Sequence, residues 1–156
     1  MAFKSVRAPN IFALIAGAIA LLLLGVRGVW TAAAFANHSR VPFALLAASS
    51  ITAVIFGLAL LYVALRKSRF AGTTAVIIGT FLTFGVIADH ATALAFGLSD
   101  PVSWWTAIDL TIAVTILGSS LFPWSPADNK PAFFWMGLTF ATLTLLFGTS
   151  VLMVRL

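Results

Sequence analysis

The chain has no cysteine and no glutamate, and all four of its acidic residues are aspartate. Without a thiol there is no disulfide, thiolate nucleophile, iron–sulfur cluster or Cys-ligated zinc site. Charge of either sign is scarce: Asp, Glu, Lys and Arg together make up 8% of the 156 residues, against about 25% in soluble domains. So few polar groups cannot cover a globular surface in water. Disorder needs low hydrophobicity and high charge, so it is excluded as well. Also missing are a P-loop, G-x-G-x-x-G, G-x-S-x-G and H-E-x-x-H. No long loop offers room for a catalytic domain, and the inverted repeat of secondary transporters is not visible.

What is present is apolar. Hydrophobic residues make up 62% of the chain, with 14 Phe and 5 Trp, and the mean hydropathy is +1.11. A spanning helix needs about 20 mostly apolar residues, and the stretches 10–36, 42–65, 71–97, 102–122 and 132–154 qualify. The expected fold is therefore an all-α integral membrane protein: one domain, a bundle of five transmembrane helices. The breaks are short, which predicts antiparallel sequential neighbours. Ser99, Asp100 and Pro101 suit the start of the fourth helix as N-cap, dipole partner and first-turn proline. The first run, with Lys4, Arg7 and Ala34-Phe35-Ala36, has signal-peptide features. Arg27 and Trp30 do not fit between such a run and its cleavage site, so an uncleaved helix is expected.

The net charge of +5 comes from nine Lys and Arg that flank apolar runs. That pattern sets membrane topology and does not point to nucleic acid. With the N-terminus cytoplasmic, the inner side holds Lys4, Arg7, Arg66, Lys67, Arg69 and Lys130. The outer side holds Arg40 and Arg155, so the C-terminus is outside. The localisation this predicts is a plasma membrane of the bacterial inner-membrane type, crossed several times. Tyr62, Phe70, Trp124 and Trp135 fall at the inner interface, and Trp30, Trp104 and Trp105 at the outer one. Aromatic anchoring accounts for all of them, with Trp30, Trp104 and Trp105, above all the adjacent pair, as the alternative stacking site for a ligand.

Three ionisable residues lie inside apolar segments, at similar outward depths. Arg27 is about 6 Å, Asp89 about 7 Å and Asp109 about 5 Å from the middle of its own segment, at about 1.5 Å per residue. His90 follows Asp89. An unpaired charge at such depth costs roughly 2.5 to 3.5 kcal/mol on insertion scales, so Arg27 is expected to face inward and pair with Asp89, Asp109 or both. The cluster Arg27, Asp89, His90 and Asp109 reads first as a clasp holding helices 1, 3 and 4. Its functional alternative is an outer-half pocket for an anionic headgroup, a quinone or a proton. Two carboxylates against one guanidinium leave an excess negative charge that a proton or His90 would balance. His38 and His90 are the residues for a haem or metal site, although neither has metal-ligand spacing; no resident cofactor is expected.

Thr111, Thr115 and Ser119 share one face of the fourth segment at four-residue spacing. Thr73, Thr80 and Thr83 punctuate the third, and Thr139, Thr142 and Thr149 the fifth; such hydroxyls usually bond to their own helix backbone. The pairs Ala13/Gly17, Ala53/Gly57 and Ala75/Gly79 would let backbones approach closely.

Segments two to four, with Arg40 ahead of a small-residue helix and Gly57 within it, resemble small DoxX-type bacterial membrane proteins. The resemblance covers about half the chain and implies four helices, so the fifth segment departs from it; it implies no site or activity. The function these features suggest is a non-catalytic accessory subunit of a larger respiratory, photosynthetic or transport complex, with the bilayer and other membrane subunits as partners. The alternatives are a small carrier or lipid/quinone-binding protein using the outer-half pocket, and a haem- or metal-binding redox protein.

Overall fold

The structure is a computed structural model and describes residues 6–35, 43–95, 104–122 and 128–155. Five helices run α1 (Ile11–Phe35), α2 (Phe43–Leu65), α3 (Ala71–Ala95), α4 (Trp104–Leu121) and α5 (Lys130–Arg155), and no strand occurs among the described residues. They fall within two residues of the five expected segments. Ser99, Asp100, Pro101, Arg40, Lys4 and Trp124 lie outside the described residues. Helix α5 starts earlier than expected because Pro131 sits in its first turn, where a missing N–H costs nothing.

Three stretches are long and apolar enough to cross a membrane: Ile11–Trp30, Ala47–Leu65 and Ala71–Ala88. Their apolar side chains mostly face outward. Phe12 is 87% and Leu23 66% exposed, as suits a chain whose solvent is lipid. The protein is a helical membrane protein.

Helices α1 to α4 close a ring in which α1·α2 is the most extensive contact, followed by α3·α4 and α1·α4, with α2·α3 the least; α5 leans on the outside of α3. Contact pairs rise along one helix as they fall along the next. Gly25 meets Val54 and Gly57 meets Leu22, so α1 and α2 are antiparallel. Phe56 meets Phe81 edge-on at 5.1 Å between α2 and α3. Phe84 meets Phe140 at 5.4 Å between α3 and α5.

The small-residue pairs explain the tight crossings. A Cβ at Gly57 would fall 2.6 Å from Leu22 Cγ, and one at Gly79 would fall 2.6 Å from Leu117 Cγ. Real side chains do not fit there, so glycine lets these helices touch.

One end of the bundle is pinned by polar groups. Asn10 caps α1, its side-chain oxygen accepting from the N–H of Phe12 (3.1 Å) and Ala13 (3.3 Å). Its own N–H donates to Ser119 O at 2.6 Å. Asn129, 1% exposed, donates from Nδ2 to Leu121 O at 3.1 Å, satisfying a carbonyl at the end of α4. Helix α2 ends in a Schellman turn: Ser68 N–H donates to Val63 O, Lys67 N–H to Ala64 O, and Lys67 takes φ 47°. Ser68 then caps α3 through its hydroxyl to Phe70 N–H at 3.2 Å. Arg7, Arg66, Lys67, Arg69 and Lys130 all lie at this end. Above it Leu14, Ala18, Leu21, Leu60, Ala75 and Ile116 form the core.

Candidate functional site

Away from the basic end the ring opens into a cavity of about 620 Å³ walled by α1, α2, α3 and α4. Its floor is apolar and aromatic: Leu21, Phe56, Phe81 and Ile112. Its far end is polar: Arg27, Ser49, Ser50 and Asp109. Gly85 borders it, and a Cβ added there would have no neighbour within 4 Å. This glycine faces open space, in contrast to Gly57 and Gly79.

The structure brings Arg27 and Asp109 to one cavity wall, from α1 and α4. Asp109 is half-buried with Oδ1 removed from solvent, and neither residue is a free charge. Arg27 also borders a second, shallower recess of about 510 Å³ between α1 and α4, floored by Leu24, Ala107 and Ile112. The arginine therefore stands between the bundle interior and its outer surface and is not turned wholly inward.

Asp89 and His90 belong to α3, and their side chains lie outside the described ones. Phe81, Leu82, Gly85 and Val86 of the same helix line the cavity. Trp105 precedes Asp109 by four residues, but the side chains of Trp104 and Trp105 are not among those described. Trp30 is 79% exposed and is not among the residues that line either recess. His38 lies outside the described residues. Among the described residues, no group of three His, Asp or Glu could hold a metal.

Five described threonine hydroxyls of the rows bond back to their own helices. Thr111 donates to Ala107 O, Thr115 to Thr111 O, Thr80 to Val76 O, Thr83 to Gly79 O and Thr142 to Leu138 O, each at 2.6 to 2.9 Å within its own helix. Thr73 belongs to α3, and Thr139 and Thr149 to α5.

Sequence reasoning missed Ser49, Ser50, Phe56, Phe81 and Gly85. A signal was available for the serines: they are adjacent in a mostly apolar segment. In the structure Ser50 lies opposite Gly25 and Gly28. Ser50 is 8% exposed, packed against Gly28. No comparable signal marks the two phenylalanines, because 14 of them are spread along the chain.

No family model, curated protein or solved structure matches the chain. The resemblance to DoxX-type proteins gains no support from these comparisons, and nothing is carried over from it.

Proposed function

We propose that this is a small membrane protein that binds or carries an amphipathic lipid- or quinone-like molecule in the cavity walled by α1, α2, α3 and α4. The observation that carries the reading is the joint placement of Arg27 and Asp109 on the wall of a cavity of about 620 Å³ with an aromatic floor. A cavity of that size falls in the range of about 300–1,000 Å³ that holds small ligands. Intramembrane ionisable residues facing such a space mark functional sites by default.

On this reading all five helices span a bacterial inner membrane. The N-terminus is cytoplasmic and the C-terminus outside, as the basic residues at the pinned end favour. The cavity then lies in the outer half of the bilayer. No catalytic role is assigned to any residue.

A second reading is favoured by a different observation. Only 28%, 22% and 39% of the most apolar windows of α1, α2 and α3 are buried, and α5 presents Leu138, Leu145 and Leu146 outward. These faces suit an accessory subunit packed against partner helices in a larger complex. Native mass spectrometry of protein gently extracted from its own membrane separates the two. A solitary chain carrying one defined small-molecule mass supports the binding protein. Stoichiometric companion chains with no bound small molecule overturn it in favour of the subunit.

A further inference from the structure

We infer that the cavity takes an uncharged, single-chain amphiphile, with its head at Arg27 and Asp109 and its chain toward Phe56 and Phe81. The inference rests on the ligand-binding reading above and adds the chemical class of the ligand. It excludes phospholipids and other anionic lipids as the preferred occupant.

The polarity of the cavity sets the orientation. Ser49 and Phe56 both line it from α2, seven residues apart, or about 10 Å along the helix. One end offers hydroxyls and charges, the other aromatic and aliphatic carbon. An amphiphile satisfies both ends; a wholly polar or wholly apolar molecule leaves one of them mismatched.

Charge decides the head group. Among the described residues the polar end carries one guanidinium and one carboxylate, whose formal charges cancel, and neither is free. A phosphate or carboxylate head would bring one more negative charge to a site with no cationic surplus, in a medium where unbalanced charge is expensive. A hydroxyl or carbonyl head needs no counter-charge. It accepts a hydrogen bond from Arg27 and, where it has an O–H, donates one to Asp109 or a serine.

The helix arrangement favours one chain. The α2·α3 contact is the least extensive in the ring, and Phe56 and Phe81 meet across it at 5.1 Å. These rings lie at the cavity floor, at the seam of α2 and α3. A cavity of about 620 Å³ is in the size range of small-molecule sites, which suits a single hydrocarbon chain and not a diacyl pair.

The test uses the full chain in detergent and three probes with twelve-carbon tails: monolauroylglycerol, a dodecyl-substituted benzoquinone, and dodecyl phosphate. Native mass spectra at increasing probe concentration report occupancy. The expected result is one bound neutral probe per chain, with dodecyl phosphate at least about tenfold weaker. Whichever neutral head binds more tightly identifies it as polyol or quinone. Asp109→Asn should narrow the gap by strengthening dodecyl phosphate, because it removes the opposing charge. Dodecyl phosphate binding as tightly as both neutral probes, or more tightly, overturns the inference and leaves the cavity reading intact. Failure of all three probes, or undiminished binding in Gly85→Leu, overturns the cavity reading itself. The ranking in the wild-type chain requires no variant to fold.

Discussion

The two ends of this bundle are built on opposite rules. At the basic end, polar side chains serve the backbone: Asn10, Ser68 and Asn129 each satisfy a helix terminus, and the core above them is closed, with Leu14, Leu60 and Ile116 at 0% exposure. At the far end, polar side chains surround a space. Arg27, Ser49, Ser50 and Asp109 border a cavity of about 620 Å³ that a packed core would not leave. In lipid, helices gain nothing by hiding apolar surface from one another. Close packing therefore has to be specified residue by residue, by glycines and caps, and where that specification stops the bundle opens. A polar-lined opening is consistent with a binding site; packing alone does not require one.

The comparison is broken most directly by placing the same substitution at both ends. Gly57→Leu puts a side chain where even a Cβ would lie 2.6 Å from Leu22. It should separate α1 from α2 and cost about 3 kcal/mol or more, at the upper end for overpacking, read as a large fall in the thermal midpoint in detergent. Gly85→Leu enters open space. It should change stability by less than about 1 kcal/mol, within the range of a helical Gly replacement, while ligand occupancy is lost. Equal destabilisation by the two would remove the distinction between the ends.

Asn129→Ala comes next. It strips a buried donor from Leu121 O and should cost about 1–3 kcal/mol, measured as a shift in thermal unfolding with ligand binding retained. A double substitution, Phe56→Cys with Phe81→Cys, is clean because the chain has no other cysteine. Bridging the two thiols with a short bifunctional reagent should lock the α2/α3 seam, the least extensive contact of the ring, and slow ligand uptake several-fold without unfolding. Uptake at the wild-type rate would place the route elsewhere. The smallest effect is at the pinned end: Lys67→Gly relieves a non-glycine residue at φ 47° and should stabilise by about 0.5–1 kcal/mol, detectable as a small rise in the thermal midpoint.

The helices were legible in the sequence because hydropathy and punctuation agree: Arg66, Lys67, Ser68 and Arg69 break α2 from α3 in both. The close pairs Ala13/Gly17, Ala53/Gly57 and Ala75/Gly79 were legible as motifs, and all three glycines lie at crossings. The order of helices around the ring was not, because short loops fix antiparallel succession but not which non-sequential helices meet. That is why Arg27 could be given Asp89, Asp109 or both as partners without the sequence choosing between them. A polar outer-half pocket could be offered as an alternative, but its size and its walls on α2 and α3 were not legible, since an empty volume leaves no residue type behind; Gly85 resembles Gly79 in sequence and has the opposite surroundings. Asn129 was hidden in a loop of prolines and polar residues, where nothing distinguishes a buried amide from a solvated one.

The central claim, that the far end is a binding site and not a packing defect, is tested most directly by native mass spectra of the wild-type chain and of Gly85→Leu purified side by side. The account predicts one small-molecule adduct per wild-type chain and none on Gly85→Leu, with the two thermal midpoints close together. The same adduct on both proteins, or none on either, would contradict it.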